Sequence, residues 1–594
     1  MRTCFYSLIL VFICSTARSQ MATNVLDANN LSLYVRSNGQ FTPSQNGASL
    51  VLNSAIERSL MYAGGLWMSG MDPSGGLHVA VHKYGADGHD FYPGPLTVGG
   101  DASISPEMMQ QYDQVWRISR NQLEEQQAYF ECVSDPNCDL EDLFPSGYTI
   151  PDDFMTWPAM GNIDEGQELY LAPFADPDQD NVYDPTIGDR PCVAGDVALF
   201  TIFNDKGGPH FESGGLPLGI EVHMMPFAYT SGNEDLWNTL FVHYKLINRS
   251  SVTYSNFKFG IFSDLDAGCA KDDLVGTDVG RNMVYAYNMD DMDEDCLGTI
   301  GFGDQPPAAG MMVLKGLRLD PNGTDDEVIN SLPSYNGSAF GDGFADNERC
   351  GLTGSMHFRR GISNPMVTDP YIDAHFYRYL NMLWTSTIPL TYGDLGYSSD
   401  PAAIPSAFSF PGESDPYGVG TNGEILEPWY DSYSELSPDP RILAILGPIT
   451  LEPSEYQEIL IAYIYARADE GGALASVAAL QQRADNVRAF AQNIPGLMAA
   501  GSLCDEMPVG IAPIRRPTAL AIYPNPAHDL VTVVLDEKIT NGSLEVFDVA
   551  GRTIMELPVS GPVIMIPIEE LTPGSYHLRF VESGSIHSGR FIKE

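Results

Sequence analysis

Residues 174–185 read FADPDQDNVYDP and place Asp176, Asp178, Asp180 and Asp184 within nine positions. Carboxylates this close can transfer protons, hold a metal ion or simply face water. Calcium takes six to eight hard oxygens, and alternating short acids on a tight loop supply them. Asp176, Asp178 and Asp180 stand at loop positions 1, 3 and 5, the carbonyl of Val182 at position 7 and Asp184 at position 9. Position 6 needs left-handed backbone, and Asn181 tolerates it better than most residues other than glycine. The spacing favours calcium over a solvated acidic turn.

Other acidic groups are less regular. Asp264 and Asp266 follow a strand, with Asp272, Asp273 and Asp278 close behind, and together they could converge on a second ion. Asp291, Asp293 and Asp295 alternate, and Asp320, Asn322, Asp325 and Asp326 cluster. For each of these groups a solvated turn competes on equal terms. The chain contains no H-E-x-x-H, G-x-S-x-G, P-loop or dinucleotide fingerprint. His78 and His82 share one face of a strand, but a zinc site there lacks a third ligand. With 78 acids, a glycosidase pair can be neither nominated nor excluded. Trp67, Trp116, Trp157, Trp237, Trp384 and Trp429 could stack on sugars, although core packing is the commoner use of Trp.

These groups sit on a large exported chain. Residues 1–19 have Arg2, a short apolar run and small residues at Ala17 and Ser19, which predicts a cleaved signal peptide. The apolar run is too short to span a bilayer comfortably, and no later run is long enough either, so no transmembrane segment is expected. Losing Arg2 and Arg18 lowers Lys+Arg from 31 to 29 against 78 acids, a net charge of -49. Such a field repels nucleic acid. The hydrophobic fraction of 44% argues against disorder. Of the seven cysteines outside the leader, Cys132 and Cys138 flank a turn-forming Asp-Pro-Asn and are the best local disulfide pair; Cys269 with Cys296 is a second candidate.

The fold class expected is mainly β: a large antiparallel, sandwich-like body at 20–503, as one unit or two subdomains, with one C-terminal helix. A linker at 504–519 and a small immunoglobulin-like sandwich at 520–594 follow. Leu240, Val242, Tyr244 and Leu246 share one face at period two, as do Phe257, Phe259 and Ile261, and the two strands suggest a hairpin. The run YQEILIAYIYARA reads as a central strand buried on both faces. Leu474, Val477, Leu480, Val487 and Phe490 form one helical stripe. After residue 520, four strands alternate with glycine and proline turns.

That last segment carries Tyr523-Pro524-Asn525-Pro526, then Asp548 and Gly551-Arg552, then Leu571, Pro573-Gly574 and Tyr576, and finally Gly589-Arg590 before a terminal Phe-Ile-Lys. In this order and spacing it resembles the type A sorting domain of the type IX secretion system of Bacteroidota. The resemblance implies passage across both membranes through the type IX translocon, removal by a surface sortase near Arg515-Arg516, and either release or attachment to anionic lipopolysaccharide. The body, with stretches such as GGLWMSGMD, LAPFADPDQDNVYDPTIGDRP and FPGESDPYGVGTNG, is similar to large surface or secreted proteins of the same bacteria that have no assigned activity. The acidic loop is similar to the D-x-D-x-D loops of thrombospondin type 3 and dockerin modules; Ile187 stands where an EF-hand has its bidentate Glu.

The function expected is that of a calcium-stabilised, non-enzymatic surface or secreted cargo that adheres to or binds an unidentified extracellular ligand. The alternative is a secreted hydrolase acting on polysaccharide or protein.

Overall fold

The computed structural model of the chain describes residues 21–593 except 44–46, 55–56, 87, 297, 328–336, 361–366, 433–438, 500, 505–520, 535–541, 548–552, 560–562, 570 and 583–584. The leader, the sortase-cleavage region and Gly551-Arg552 lie outside the described residues. The chain forms two compact units, Met1–Asp505 and Glu506–Glu594.

In the first unit the principal strands are β1 (Ala63–Met71), β2 (Leu77–Val81), β3 (Val197–Asn204), β4 (Ile220–Ala228), β5 (Thr239–Asn248), β6 (Tyr254–Asp264), β7 (Asp273–Asp278), β8 (Met283–Asn288), β9 (Ala308–Lys315), β10 (Gly354–Arg359), β11 (Pro440–Leu451) and β12 (Tyr456–Ala466). One sheet runs β7-β8-β9-β12-β5-β4-β3, with short strands at Tyr92–Pro93 and Trp116–Ser119 pairing with β3. A second runs β10-β11-β6-β1-β2. All these pairings are antiparallel, and alternate side chains of the extended strands of both sheets meet in one shared core. β12 lies between β9 and β5, which accounts for its unbroken apolar sequence.

β5 and β6 do not form the expected hairpin. β5 pairs with β4 and β12, whereas β6 pairs with β11 and β1 in the opposite sheet. The chain crosses the sandwich at 249–253, and the two apolar faces meet through the core, with the Tyr244 and Phe259 rings 5.7 Å apart. A hairpin and a crossing between sheets bury the same alternate residues, so periodicity does not separate them. The Asn248 side chain stabilises the crossing by donating to the carbonyls of Val252, Leu451 and Glu452.

Among the described residues three longer helices pack on the sheets: α1 (Arg120–Ser134), α2 (Asp373–Leu380) and α3 (Gly472–Ala491). α1 begins with a capping box of Ser119 and Gln122. α1 and α2 stand beside the single helix expected at the end of the body, and the apolar periodicity of α1 is weak. α3 buries Val477, Leu480, Ala484, Val487 and Ala491, while Leu474 is 70% exposed. The buried stripe is completed by alanines, which places it one position away from Leu474. Disulfides join Cys132 to Cys138, Cys269 to Cys296 and Cys192 to Cys504, and Cys350 is a buried thiol. Cys504, read as the start of the linker, is thus bonded to the body.

The second unit pairs a three-stranded sheet (Ala521–Tyr523, Leu530–Val534, Val563–Pro567) with a four-stranded one (Thr553–Val559, Gly542–Phe547, Gly574–Glu582, Ser585–Lys593). Val531, Val533, Leu544, Ile566, Leu578 and Phe591 are among the side chains of its core. The strands at Ala521–Tyr523, Thr553–Val559 and Ser585–Lys593 are additional to the four expected from the sequence.

Candidate metal centre

The acidic loop lies between a two-residue strand at Phe174–Ala175 and its partner at Arg190–Pro191. Asp176 folds the loop over itself, accepting the backbone N–H of Gln179 at 2.7 Å and of Asn181 at 2.8 Å. Gln179 and Asn181 adopt φ of 63° and 64°, so the sharp turn expected at Asn181 is joined by a second at Gln179. Asp180 accepts the Val182 N–H at 2.7 Å, and Asp184 accepts both the N–H and the hydroxyl of Thr186. The Val182 side chain is exposed.

Carboxylate oxygens of Asp176, Asp178 and Asp189 lie within 4.8 Å of one another. Asp189 is absent from the alternating pattern and arrives through tertiary structure. Its Oδ2 accepts the Asp184 N–H at 2.8 Å, its Oδ1 has no hydrogen-bond partner, and the residue is 1% exposed. The buried Gln126 of α1 donates to the Pro185 and Asp189 carbonyls at 2.7 and 3.1 Å, fixing this turn beneath the loop. Burial, followed by the charges of Asp176, Asp178 and Asp180, raises Asp189 to about 6 against the opposing Asp184 N–H. A cavity of about 720 Å³ adjoins the loop, lined by Phe130, Asp176, Asp178, Ile187 and Arg190 among others.

Most of the other sequence candidates hold loops together. Asp293 accepts the N–H of Cys269 and of Phe302, Asp295 that of Gly301, and Asp291 that of Ala473 at the start of α3. Asp325 accepts the N–H of Gly341 and of Gly343. Asp278 and Asp485 both pair with Arg281, at 3.0 and 2.9 Å, on a cavity of about 620 Å³ that also holds Tyr285, Tyr287 and Glu413. Five of the six tryptophans are core residues, and Trp237 is 40% exposed. His78 bonds Pro217 and Asp72, and His82 is buried against Phe91. His357 Nδ1 stands 3.0 Å from Ser409 Oγ, but both side chains are wholly buried, so the pair does not meet a substrate.

In the C-terminal unit Asn525 joins the first and last sorting motifs. Its Nδ2 donates to the Arg590 carbonyl at 2.9 Å, and its Oδ1 accepts the Ile592 N–H at 2.9 Å. Tyr576 donates to the Thr572 carbonyl and stacks on Phe591 at 5.4 Å. Pro573 and Gly574 lead into that strand, whereas Tyr523 is exposed.

A family model described as a secretion system C-terminal sorting domain matches residues 521–594. No curated protein matches the chain. A solved polysaccharide lyase aligns over 63% of this chain and 34% of its own length, at 7% identity and a TM-score of 0.17, too low to bear on the body. Among the described residues no helix is long and apolar enough to cross a membrane.

Proposed function

We propose, from a C-terminal type IX sorting domain that sends this chain to the cell surface or the extracellular space, that its body is a calcium-stabilised adhesion or binding protein. The type IX machinery is its export partner. A surface sortase then removes the domain and releases the body or attaches it to anionic lipopolysaccharide.

One observation supports calcium above the others. Asp189 is buried with an unpartnered oxygen beside two more carboxylates. An ionised carboxylate in that position is strongly disfavoured without a cation. Asp176 and Asp178 supply exposed oxygens, and calcium accepts such mixed sets together with water. Binding is preferred to hydrolysis because the chain carries none of the common catalytic signatures and its exposed acidic loop has ligand spacing, while Arg281 engages two of the acids, Asp278 and Asp485, that line the 620 Å³ cavity alongside Glu413.

The experiment is a glycan and cell-surface binding screen of the purified full chain, with calcium and with EDTA, alongside polysaccharide and peptide hydrolysis assays. Calcium-dependent retention without product formation is expected. Turnover of any substrate overturns the non-enzymatic reading, and retention that is indifferent to EDTA overturns a role for calcium in binding.

A further inference from the structure

A second carboxylate cluster lies where β6 ends and β11 begins, and it shares no residue with the acidic loop. The register that pairs Ser263 with Ile442 brings Asp264, the last residue of β6, alongside Arg441. Oxygens of Asp264, Asp266 and Asp439 fall within 4.8 Å of one another. Asp369 and Asp273 adjoin them: Asp369 is 4.0 Å from Arg441 Nε, and Asp273 is near enough to repel Asp266 and Asp439.

The positive charge facing this group is small. Arg441 Nε is 3.3 Å from Asp264, its Nη2 is 3.0 Å from Asp439, and Arg360 also acts on Asp439. The Tyr84 hydroxyl donates to Asp264 Oδ2 at 2.8 Å. Two guanidinium groups therefore face five carboxylates. One oxygen each of Asp264, Asp266, Asp273 and Asp369 is buried without a hydrogen bond; those of Asp264 and Asp369 face Arg441 Nε, whereas Asp266 and the 1% exposed Asp273 make no ion pair among the described residues. Ionised carboxylates left this way are strongly destabilising unless a cation joins them.

We propose that Asp264, Asp266 and Asp439 bind a divalent cation of the calcium class, with Asp273 and Asp369 completing the negative surround. All the donors are hard oxygens, and no His or Cys belongs to the group, which suits calcium better than zinc. Asp266 also lines a cavity of about 350 Å³ with Glu57, Ser59, Tyr62 and Thr299, which gives the ion a route from solvent. An ion here joins the end of β6 to the start of β11 and so fastens two central strands of one sheet.

The test uses the purified full chain, stripped with EDTA and titrated with calcium by calorimetry, with native mass spectrometry counting bound ions. Asp176→Asn with Asp178→Asn disables the loop site. That chain is expected still to bind one calcium ion, and adding Asp266→Asn with Asp439→Asn weakens this binding by about tenfold or more. A loop-disabled chain that binds no ion overturns the proposal, as does unchanged affinity in the fourfold variant. If the fourfold variant does not fold, the loop-disabled chain decides alone. Failure of the loop reading is distinct: it is seen when Asp176→Asn with Asp178→Asn removes no ion from the count.

Discussion

Asp189 accepts the Asp184 backbone N–H at 2.8 Å through one oxygen and leaves the other without a hydrogen bond, beside Asp176 and Asp178. A residue outside the alternating pattern therefore supplies the buried wall of the acidic loop. Calcium at 100 times its dissociation constant stabilises a folded chain by about 2.7 kcal/mol. EDTA is expected to lower the melting temperature by a few degrees, and added calcium to restore it. Asp189→Asn should shrink that difference, as followed by calorimetry. A melt unchanged by EDTA would sink the loop site.

His82 predicts a pH dependence. Its Nε2 lies 3.0 Å from the Asn38 carbonyl and its Nδ1 accepts the Leu66 N–H at 3.3 Å, an arrangement suited to the neutral ring. Burial pushes its pKa down to about 3. The unfolded chain takes up this proton below about pH 6.5, while the folded chain does so only near pH 3. Stability from His82 is therefore complete above pH 6.5 and declines as the pH falls towards 3, by up to about 1.4 kcal/mol per pH unit. His82→Gln should flatten the dependence of denaturation midpoint on pH in that window.

The Cys192–Cys504 disulfide spans 312 residues and ties the end of the body to its interior. Replacing both cysteines by serine is expected to destabilise the body by about 2–4 kcal/mol, read from urea midpoints. Cys350 is buried, so thiol reagents should label it only after denaturation. Rapid labelling of the native chain would contradict its placement.

Asn525 is the joint of the sorting domain. Asn525→Ala removes two hydrogen bonds to the last strand, a loss of about 1–3 kcal/mol in a small unit. Deleting 520–594 should leave the protein in the periplasm, and Asn525→Ala should reduce export in proportion to the unfolding of the domain. Fractionation into periplasm, surface and medium measures both.

Local sequence was most informative where function is carried by short contiguous motifs. The sorting motifs at 523–526 and 573–576 are read along a few residues, and the strand faces of Leu240 to Leu246 and Phe257 to Ile261 follow from a period of two. Asp176 and Asp178 were visible for the same reason. Tertiary structure decided which sheet each strand joined, because both solutions bury the same side chains. It placed Asp189 under the loop through Gln126 on a distant helix, and it set Asp439 and Arg441 beside Asp264 across more than 170 positions. Burial and strand register made these pairings, and both depend on partners far along the chain, so no local spacing encodes them.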